Sequence, residues 1–133
     1  MTRWASADHF ASWMGLSPGN KVSGGKRLSG KTKPCANRAA AALRIAASTL
    51  HHSQSALGAY LRRLKSRLGA PKAITATAHK LAKIIYHMLR YGTRFKEMGQ
   101  AYYEQQYKER LLRNLKQKAA SLGFDLIEKV VIA

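Results

Sequence analysis

The distribution of charge constrains this chain more than any other feature of its sequence. No carboxylate occurs between Asp8 and Glu97, whereas the same stretch carries seventeen Lys or Arg residues. Over all 133 residues the formal net charge is +18, and 46% of the residues are apolar. A chain of this length and apolar content can bury a core, but its cations repel one another unless something neutralises them. The sequence therefore predicts one folded domain, residues 1–133, with a polyanion as its partner.

Cysteine usage and hydropathy exclude two other classes of protein. The single Cys35 excludes an internal disulfide, and the N-terminal residues contain no apolar run of signal-peptide length. Lys or Arg interrupts every apolar stretch before it reaches the ~20 residues that a membrane-spanning helix needs. We therefore expect a cytoplasmic protein that does not enter a membrane.

Apolar residues at helical spacing predict an all-α fold of about four to five helices. The first dozen residues form a short helix, with Ser6 or Asp8 as its cap. A helical region spans residues 36–122 and begins at Asn37, a favourable capping residue. Three glycines end its later helices: Gly69, Gly92 and Gly123. The apolar tail, residues 124–133, has no convincing partner strand, so we expect it to pack against the helices or to fray.

The segment 15–34 departs from this helical pattern. It contains five glycines, two prolines and four lysines, and it has few apolar positions. Such a composition predicts a long, basic, glycine-rich loop or a pair of irregular turns. Long loops in compact domains usually carry function, so this loop is the first place to look for a site.

Residues 25–32 match the phosphate-binding pattern G-x-x-x-x-G-K-[ST] letter for letter. That motif needs a buried strand before it and a helix directly after it. Here Pro18 and Gly19 lie before the motif, and Pro34 follows it closely. The acids nearest in sequence, Asp8 and Glu97, are far from a Walker-B position. We therefore reject nucleotide hydrolysis as a function.

The shortage of acids also excludes a metal centre within this chain. Nucleases that use two metal ions need several converging carboxylates, which this sequence does not supply. His51 and His52 have no Cys or acidic companions at ligand spacing, so we interpret them as exposed polar residues at a helix junction. For His79 we favour a hydrogen-bonded position between helices over a contact with DNA.

Hydroxyl groups remain as candidates for chemistry, and Ser23 is the best placed. The following Gly24 and Gly25 let a phosphate approach closely, and their amides can bind an anion. Three cations could stabilise the charge on a phosphate under attack: Lys21, Lys26 and Arg27. From the residues alone, a non-catalytic phosphate clamp is favoured over a nucleophile. Ser17 and Ser29 compete for the same role.

Tyrosines offer a second kind of nucleophile, at Tyr102, Tyr103 and Tyr107. Their spacing argues against that role. Tyr103 and Tyr107 continue at helical intervals into Leu111 and Leu115, and such a stripe is typical of a packing or dimerisation face.

Several motifs in a fixed order give the chain a family resemblance. The matching segments are residues 10–18, 23–26, 30–33, 37–40 and 75–81, with further likeness at 102–105 and 122–124. Together they resemble the C-terminal part of transposases of the insertion-sequence-110/116/902 family. The resemblance covers nearly the whole chain, and the order of the motifs makes it specific.

The resemblance implies a function in DNA transposition and recombination. Full-length members are similar in carrying an N-terminal RuvC-like domain with an Asp-Glu-Asp-Asp metal site, followed by a transposase domain whose serine attacks DNA. The RuvC-like half is missing here, so Mg²⁺ is implied only through that half. The family also implies a homo-oligomer and a structured guide RNA that pairs with DNA.

At the level of residues, the resemblance makes Ser23 the nucleophile of a transesterification. It also implies a nucleic-acid-binding surface. The predicted contacts are Lys21, Gly24, Gly25, Lys26, Arg27, Lys31, Lys33, Arg38 and Arg44. The main alternative is a non-catalytic basic nucleic-acid-binding protein, for which this charge is ordinary. A decayed transposase fragment without function is the third interpretation.

Overall fold

The computed structural model describes residues 1–132, which contain five α-helices and a two-stranded sheet. The helices are α1 (Ala7–Trp13), α2 (Arg38–Thr49), α3 (Ala56–Leu68), α4 (Ala70–Tyr91) and α5 (Gly99–Ser121). A 3₁₀ turn, Leu50–His52, joins α2 to α3, and the strands are β1 (Lys21–Ser23) and β2 (Lys26–Ser29). The predicted all-α class is confirmed.

Side-chain caps explain where three of the five helices begin. The first N–H groups of a helix have no partner within it, and a polar side chain just before the helix can accept from them. Ser6 caps α1, Asn37 caps α2 and Ser55 caps α3 in this way. Gly92 ends α4 with a left-handed φ of 64°, a conformation that glycine adopts without strain. The sequence predicted Asn37 and Gly92 in these roles, and Ser6 as one of two candidate caps.

Helix α4 lies at the centre of the fold, because α1, α2 and α3 all pack against it. Alanines with no exposed surface line these contacts and let the helices approach closely: Ala40, Ala47, Ala73, Ala78 and Ala82. The larger core side chains come from α1, from the residues after it and from α4: Phe10, Met14, Leu16 and Tyr86. Burial of each such side chain stabilises the fold by about 1.5–3 kcal/mol.

The segment 15–34 contains a β-hairpin, which the prediction of an irregular loop missed. Strands β1 and β2 pair antiparallel around a two-residue turn, Gly24-Gly25, whose φ angles are +56° and +74°. Two successive positive φ angles are those of a type I′ turn, which fits the twist of a hairpin. A bridge between Pro18 and Thr32 extends the pairing towards its base. The segment is therefore a short ordered arm flanked by irregular residues.

The C-terminal part of the chain is the least buried. Helix α5 packs against α3 and has no buried residue. After Gly123, residues 124–132 form neither helix nor strand and are exposed, so they do not pack against the helices. Residue 133 of the predicted tail lies outside the described residues. No helix in the described part is long and apolar enough to cross a membrane.

Candidate nucleic-acid interface

Two contacts at its base hold the hairpin against the helical core. Helix α1 ends in a turn in which the N–H of Leu16 donates to the carbonyl of Ala11 at 3.1 Å, and Leu16 is buried. Gly15 has a φ of +72°, and any side chain there would collide with Cys35. The chain thus leaves the core at Gly15 and returns beside it at Cys35. Residues 16–34 form an arm whose two ends are fixed.

Ser23 is the last residue of β1, directly before the turn. It is exposed, and within residues 1–132 no group forms a hydrogen bond with its hydroxyl. A Cβ added at Gly24 or Gly25 would have no atom within 4 Å, so the space around the turn is open. The hydroxyl and the turn amides are therefore accessible to a large ligand.

Strand register decides which cations accompany Ser23. Ser23 pairs with Lys26, and Val22 pairs with Arg27. Because cross-strand partners lie on the same face of a sheet, Lys26 shares the face of Ser23 and Arg27 lies on the other. The Arg27 guanidinium lies across Gly30. The structure thus places Lys26 on the same face of the hairpin as Ser23 and Arg27 on the opposite face.

The remaining predicted contacts extend from the hairpin towards α2. Lys21 pairs with Ser29, next to an irregularity in the strand register. Lys31 and Lys33 follow β2 and are exposed. Two further cations lie on α2: Arg38 at its first residue, exposed, and Arg44 two turns later, half-buried. These cations lie outside the hairpin tip, and Arg38 and Arg44 are not on the same face of α2.

Acidic groups do not neutralise this surface. The only ion pair among residues 1–132 joins Lys83 to Asp8 at 2.9 Å, and the hydrogen bond and charge of Lys83 lower the pKa of the Asp8 carboxyl. Glu97 accepts hydrogen bonds from the N–H groups of Ala56 and Gly99, each at 2.8 Å. The hairpin cations therefore remain available to an external polyanion. The described residues also hold no group of three or more potential metal ligands.

The histidines lie away from the hairpin. His51 and His52 are in the 3₁₀ turn between α2 and α3, at the predicted helix junction, and their rings meet edge to face at 4.8 Å. His52 is exposed but His51 is half-buried, and the charge of Lys65 lowers the pKa of His51. Burial and the charge of Lys83 lower the pKa of His79. The hydrogen bond expected for His79 is not formed within the described part of the chain.

The tyrosine stripe packs, as predicted, but only along the first half of α5. The ring of Tyr103 meets that of Tyr60 on α3 edge to face at 6.2 Å. The guanidinium of Arg63 lies 3.4 Å from the centroid of the Tyr107 ring, a cation–π contact. Leu111 and Leu115 continue the stripe but remain exposed. The tyrosines therefore hold α5 on α3.

Sequence analysis overlooked one exposed group of aromatic and basic residues, His87–Lys96, at the end of α4. Its signal is the alternation Arg90-Tyr91 and Arg94-Phe95-Lys96, which the search for catalytic motifs passed over. It also overlooked Arg62, which donates hydrogen bonds to the carbonyls of His51 and Ser53 at 2.9 and 2.7 Å. No local sequence pattern predicts these hydrogen bonds of Arg62, because the accepting carbonyls lie outside its own helix.

One comparison with known proteins found a match, and it covers the N-terminal part of the chain. Residues 1–62 match the family model described as transposase, IS116/IS110/IS902 family. The matched part runs through α1, the hairpin and α2 into the first half of α3. Searches of curated proteins and of solved structures gave no match.

The match supports a transposition-related role, and a family of this description implies DNA as a partner. Residues 1–62, slightly less than half of the chain, are similar to the IS116/IS110/IS902 transposase family, and the resemblance found in the sequence is confirmed over that part.

Proposed function

We propose that this chain is the DNA-binding part of a transposase and that Ser23 forms a transient covalent bond with DNA. The observation that carries the proposal is the position of Ser23. Its exposed hydroxyl stands beside the open Gly24-Gly25 turn, on the same face as Lys26. Among residues 1–132 the cations around it are unpaired, so a phosphate meets attraction there and no opposing carboxylate.

The proposed step is a transesterification. The Ser23 oxygen forms a bond to phosphorus while the bond from phosphorus to one deoxyribose oxygen breaks. The serine hydroxyl loses its proton, and the departing deoxyribose hydroxyl gains one. The reverse step transfers the strand to a new DNA hydroxyl and regenerates the serine. One phosphodiester is exchanged for another, so the reaction consumes no nucleotide.

The surroundings of Ser23 suit the charge that develops in this step. Lys26 and the amides of Gly24 and Gly25 can stabilise the additional negative charge on the phosphate oxygens. The described residues do not fit a metal ion, since they offer no cluster of ligands. By resemblance, Mg²⁺ belongs to a RuvC-like domain.

The remaining cations bind the DNA strand on either side of the reacting phosphate. In this proposal Lys21 and Arg27 contact the backbone on the hairpin, and Lys31 and Lys33 do so along its return strand. Arg38 and Arg44 extend the surface onto α2. The family resemblance further supports a structured guide RNA, a homo-oligomer and a cytoplasmic site of action as parts of the same proposal.

Ser23→Ala is the central test, in the chain supplied with a RuvC-like domain of the family and a DNA carrying the ends of the element. We expect the wild type to form a protein–DNA adduct that survives denaturation, and the variant to form none. DNA affinity should stay within a few-fold, because the substitution removes no charge. The matched controls are Ser17→Ala and Ser29→Ala, which remove the two competing hydroxyls.

The outcomes separate the proposal from its main rival. Strand transfer or adduct formation by Ser23→Ala would exclude Ser23 as the nucleophile. Loss of the adduct in Ser29→Ala instead would assign the role to that hydroxyl. An assembled complex that binds the DNA ends but forms no adduct with any serine would support a non-catalytic nucleic-acid-binding protein.

A further inference from the structure

The last turn of α4 presents two stacked rings to solvent. The rings of His87 and Tyr91 lie one helical turn apart, with centroids 5.7 Å apart and an angle of 19° between their planes. His87 is exposed, and 65% of the surface of Tyr91 is accessible. Parallel rings of this kind leave the outer face of the pair open to another flat, aromatic group.

The stack stands on a rigid base. The buried ring of Tyr86 meets His87 edge to face at 5.8 Å, and Tyr86 also packs against Phe10 at 5.8 Å. The Tyr86 hydroxyl donates to the carbonyl of Trp4 at 2.9 Å. Because helix α4 and the aromatic core position the pair, little side-chain freedom is lost when a ligand binds to it.

Cations alternate with aromatic rings along this segment. Arg90 precedes Tyr91, and Arg94 and Lys96 flank Phe95, whose side chain is 45% exposed. Arg94 and Lys96 form no ion pair or side-chain hydrogen bond within residues 1–132, and Arg90 makes only a 3.4 Å contact with the carbonyl of Met1. These charges are therefore free to meet a ligand.

We propose that the His87–Tyr91 stack, together with Arg90, Arg94 and Lys96, binds a short stretch of unpaired nucleotides. A base stacks on Tyr91, which His87 supports from behind, and the cations at 90, 94 and 96 contact the flanking phosphates. Aromatic side chains beside a basic track are the usual means of binding single strands. A duplex cannot use this site in the same way, because its bases are already stacked on one another.

A second copy of this chain is a poor occupant of the same surface. The segment carries cations and no carboxylate until Glu97, and the whole chain has a net charge of +18. Two such surfaces repel each other. The inference shares nucleic-acid binding with the proposed function but does not depend on the chemistry of Ser23.

Tyr91→Ala in the full chain tests the site. Fluorescence anisotropy would measure affinity for oligo(dT), oligo(rU) and a blunt DNA duplex at one salt concentration. Loss of one stacking aromatic is expected to weaken single-strand binding roughly 5- to 150-fold. Duplex affinity should change less than two-fold, and Tyr91→Phe should bind single strands nearly as well as the wild type. Circular dichroism would verify that each variant is folded.

Matched controls separate stacking from bulk charge and bulk apolar surface. Leu89→Ala removes an exposed apolar side chain from the same turn, and Arg113→Ala removes an exposed cation from α5. We expect both to bind oligo(dT) like the wild type, and Arg94→Ala to bind it more weakly than Arg113→Ala.

The pattern of losses identifies the ligand. A selective loss with oligo(dT), with oligo(rU) or with both supports the site and assigns it to DNA, to RNA or to either. An unchanged affinity for both single strands in Tyr91→Ala, or an equal loss for the duplex, overturns the inference. Failure of Ser23→Ala to abolish strand transfer would leave these measurements untouched, so the two proposals fail separately.

Discussion

At Gly58 the backbone of the preceding turn approaches α3 so closely that no side chain fits. A Cβ there would collide with the carbonyl oxygen of Ser53 and lie 2.9 Å from that of Leu50. Gly58 is buried, and its N–H donates to the Ser55 side chain. The obstacle consists of backbone atoms, which cannot rotate away as a side chain does.

We therefore expect Gly58→Ala to destabilise the protein, although alanine is the better helix former. Overpacking costs about 1–3 kcal/mol, whereas the gain in helix propensity is about 1 kcal/mol at most. Urea unfolding followed by circular dichroism would measure the difference. Ser66→Ala, on the exposed part of the same helix, serves as the control and should lie within about 0.5 kcal/mol of the wild type. A Gly58→Ala variant as stable as that control would contradict the expectation.

At the scale of elements, the helices and the C-terminal segment contribute unequally to stability. Helix α5 is attached to α3 through its first half, where Tyr103 packs and the Arg62 guanidinium donates to the Gln100 side chain at 2.8 Å. Beyond it, residues 124–132 bury nothing. The energy of attachment is therefore concentrated near the beginning of α5.

Two truncations test this distribution. Removal of residues 124–133 should leave the melting temperature within about 2 °C, because no buried contact is lost. Removal of residues 99–133 should lower it clearly, since it uncovers the apolar face of α3 and deprives Arg62 of a partner. Differential scanning calorimetry would compare them. A large drop on the shorter deletion would contradict the proposed distribution.

Local signals predicted the helices well because caps and glycine stops act within a few residues. Asn37, Gly69 and Gly92 lie where the sequence placed them, at helix ends. The hairpin was missed because its strands have only three and four residues and are exposed on both faces. A strand without a buried face shows no alternation of apolar and polar residues, which is the pattern that predicts a strand.

The sequence predicted which residues belong to the candidate site but not how they are arranged, because the arrangement depends on the pairing of strands. Ser23, the glycine turn and the cations are visible in the sequence as residues, but strand register decides which of them share a face. That register separated Arg27 from Ser23 while keeping Lys26 beside it. The hydrogen bonds of Arg62 were likewise beyond reach, since they depend on how separate parts of the chain come together. The His87–Tyr91 stack is instead a local contact between residues one turn apart on α4, which the sequence interpretation did not consider.

At the scale of the whole molecule, the excess of positive charge determines how binding depends on salt. The chain carries 24 Lys and Arg against 6 Asp and Glu, and the only ion pair among the described residues joins Asp8 to Lys83. Binding to DNA should release the counterions condensed on its phosphates. If six to ten phosphates are contacted, affinity falls by roughly 10³ to 10⁵ between 50 and 200 mM salt.

Filter binding or anisotropy across that salt range would check the expected slope. Lys31→Ala should reduce the slope by about one, the effect of losing one phosphate contact. Lys118→Ala, on the exposed end of α5, is the matched control and should leave the slope unchanged. A flat salt response of the wild type would be incompatible with binding through this basic surface.

The hairpin arm leaves and rejoins the core at one point, where Gly15 lies against Cys35, and none of the residues 17–37 is buried. The arm can therefore change in sequence, or even in length, with little effect on the packing beneath it. Selection for a new DNA target and selection for a stable fold would act on different residues. Such a separation lets the parts of the arm outside Ser23-Gly24-Gly25-Lys26 diverge quickly while the scaffold changes slowly.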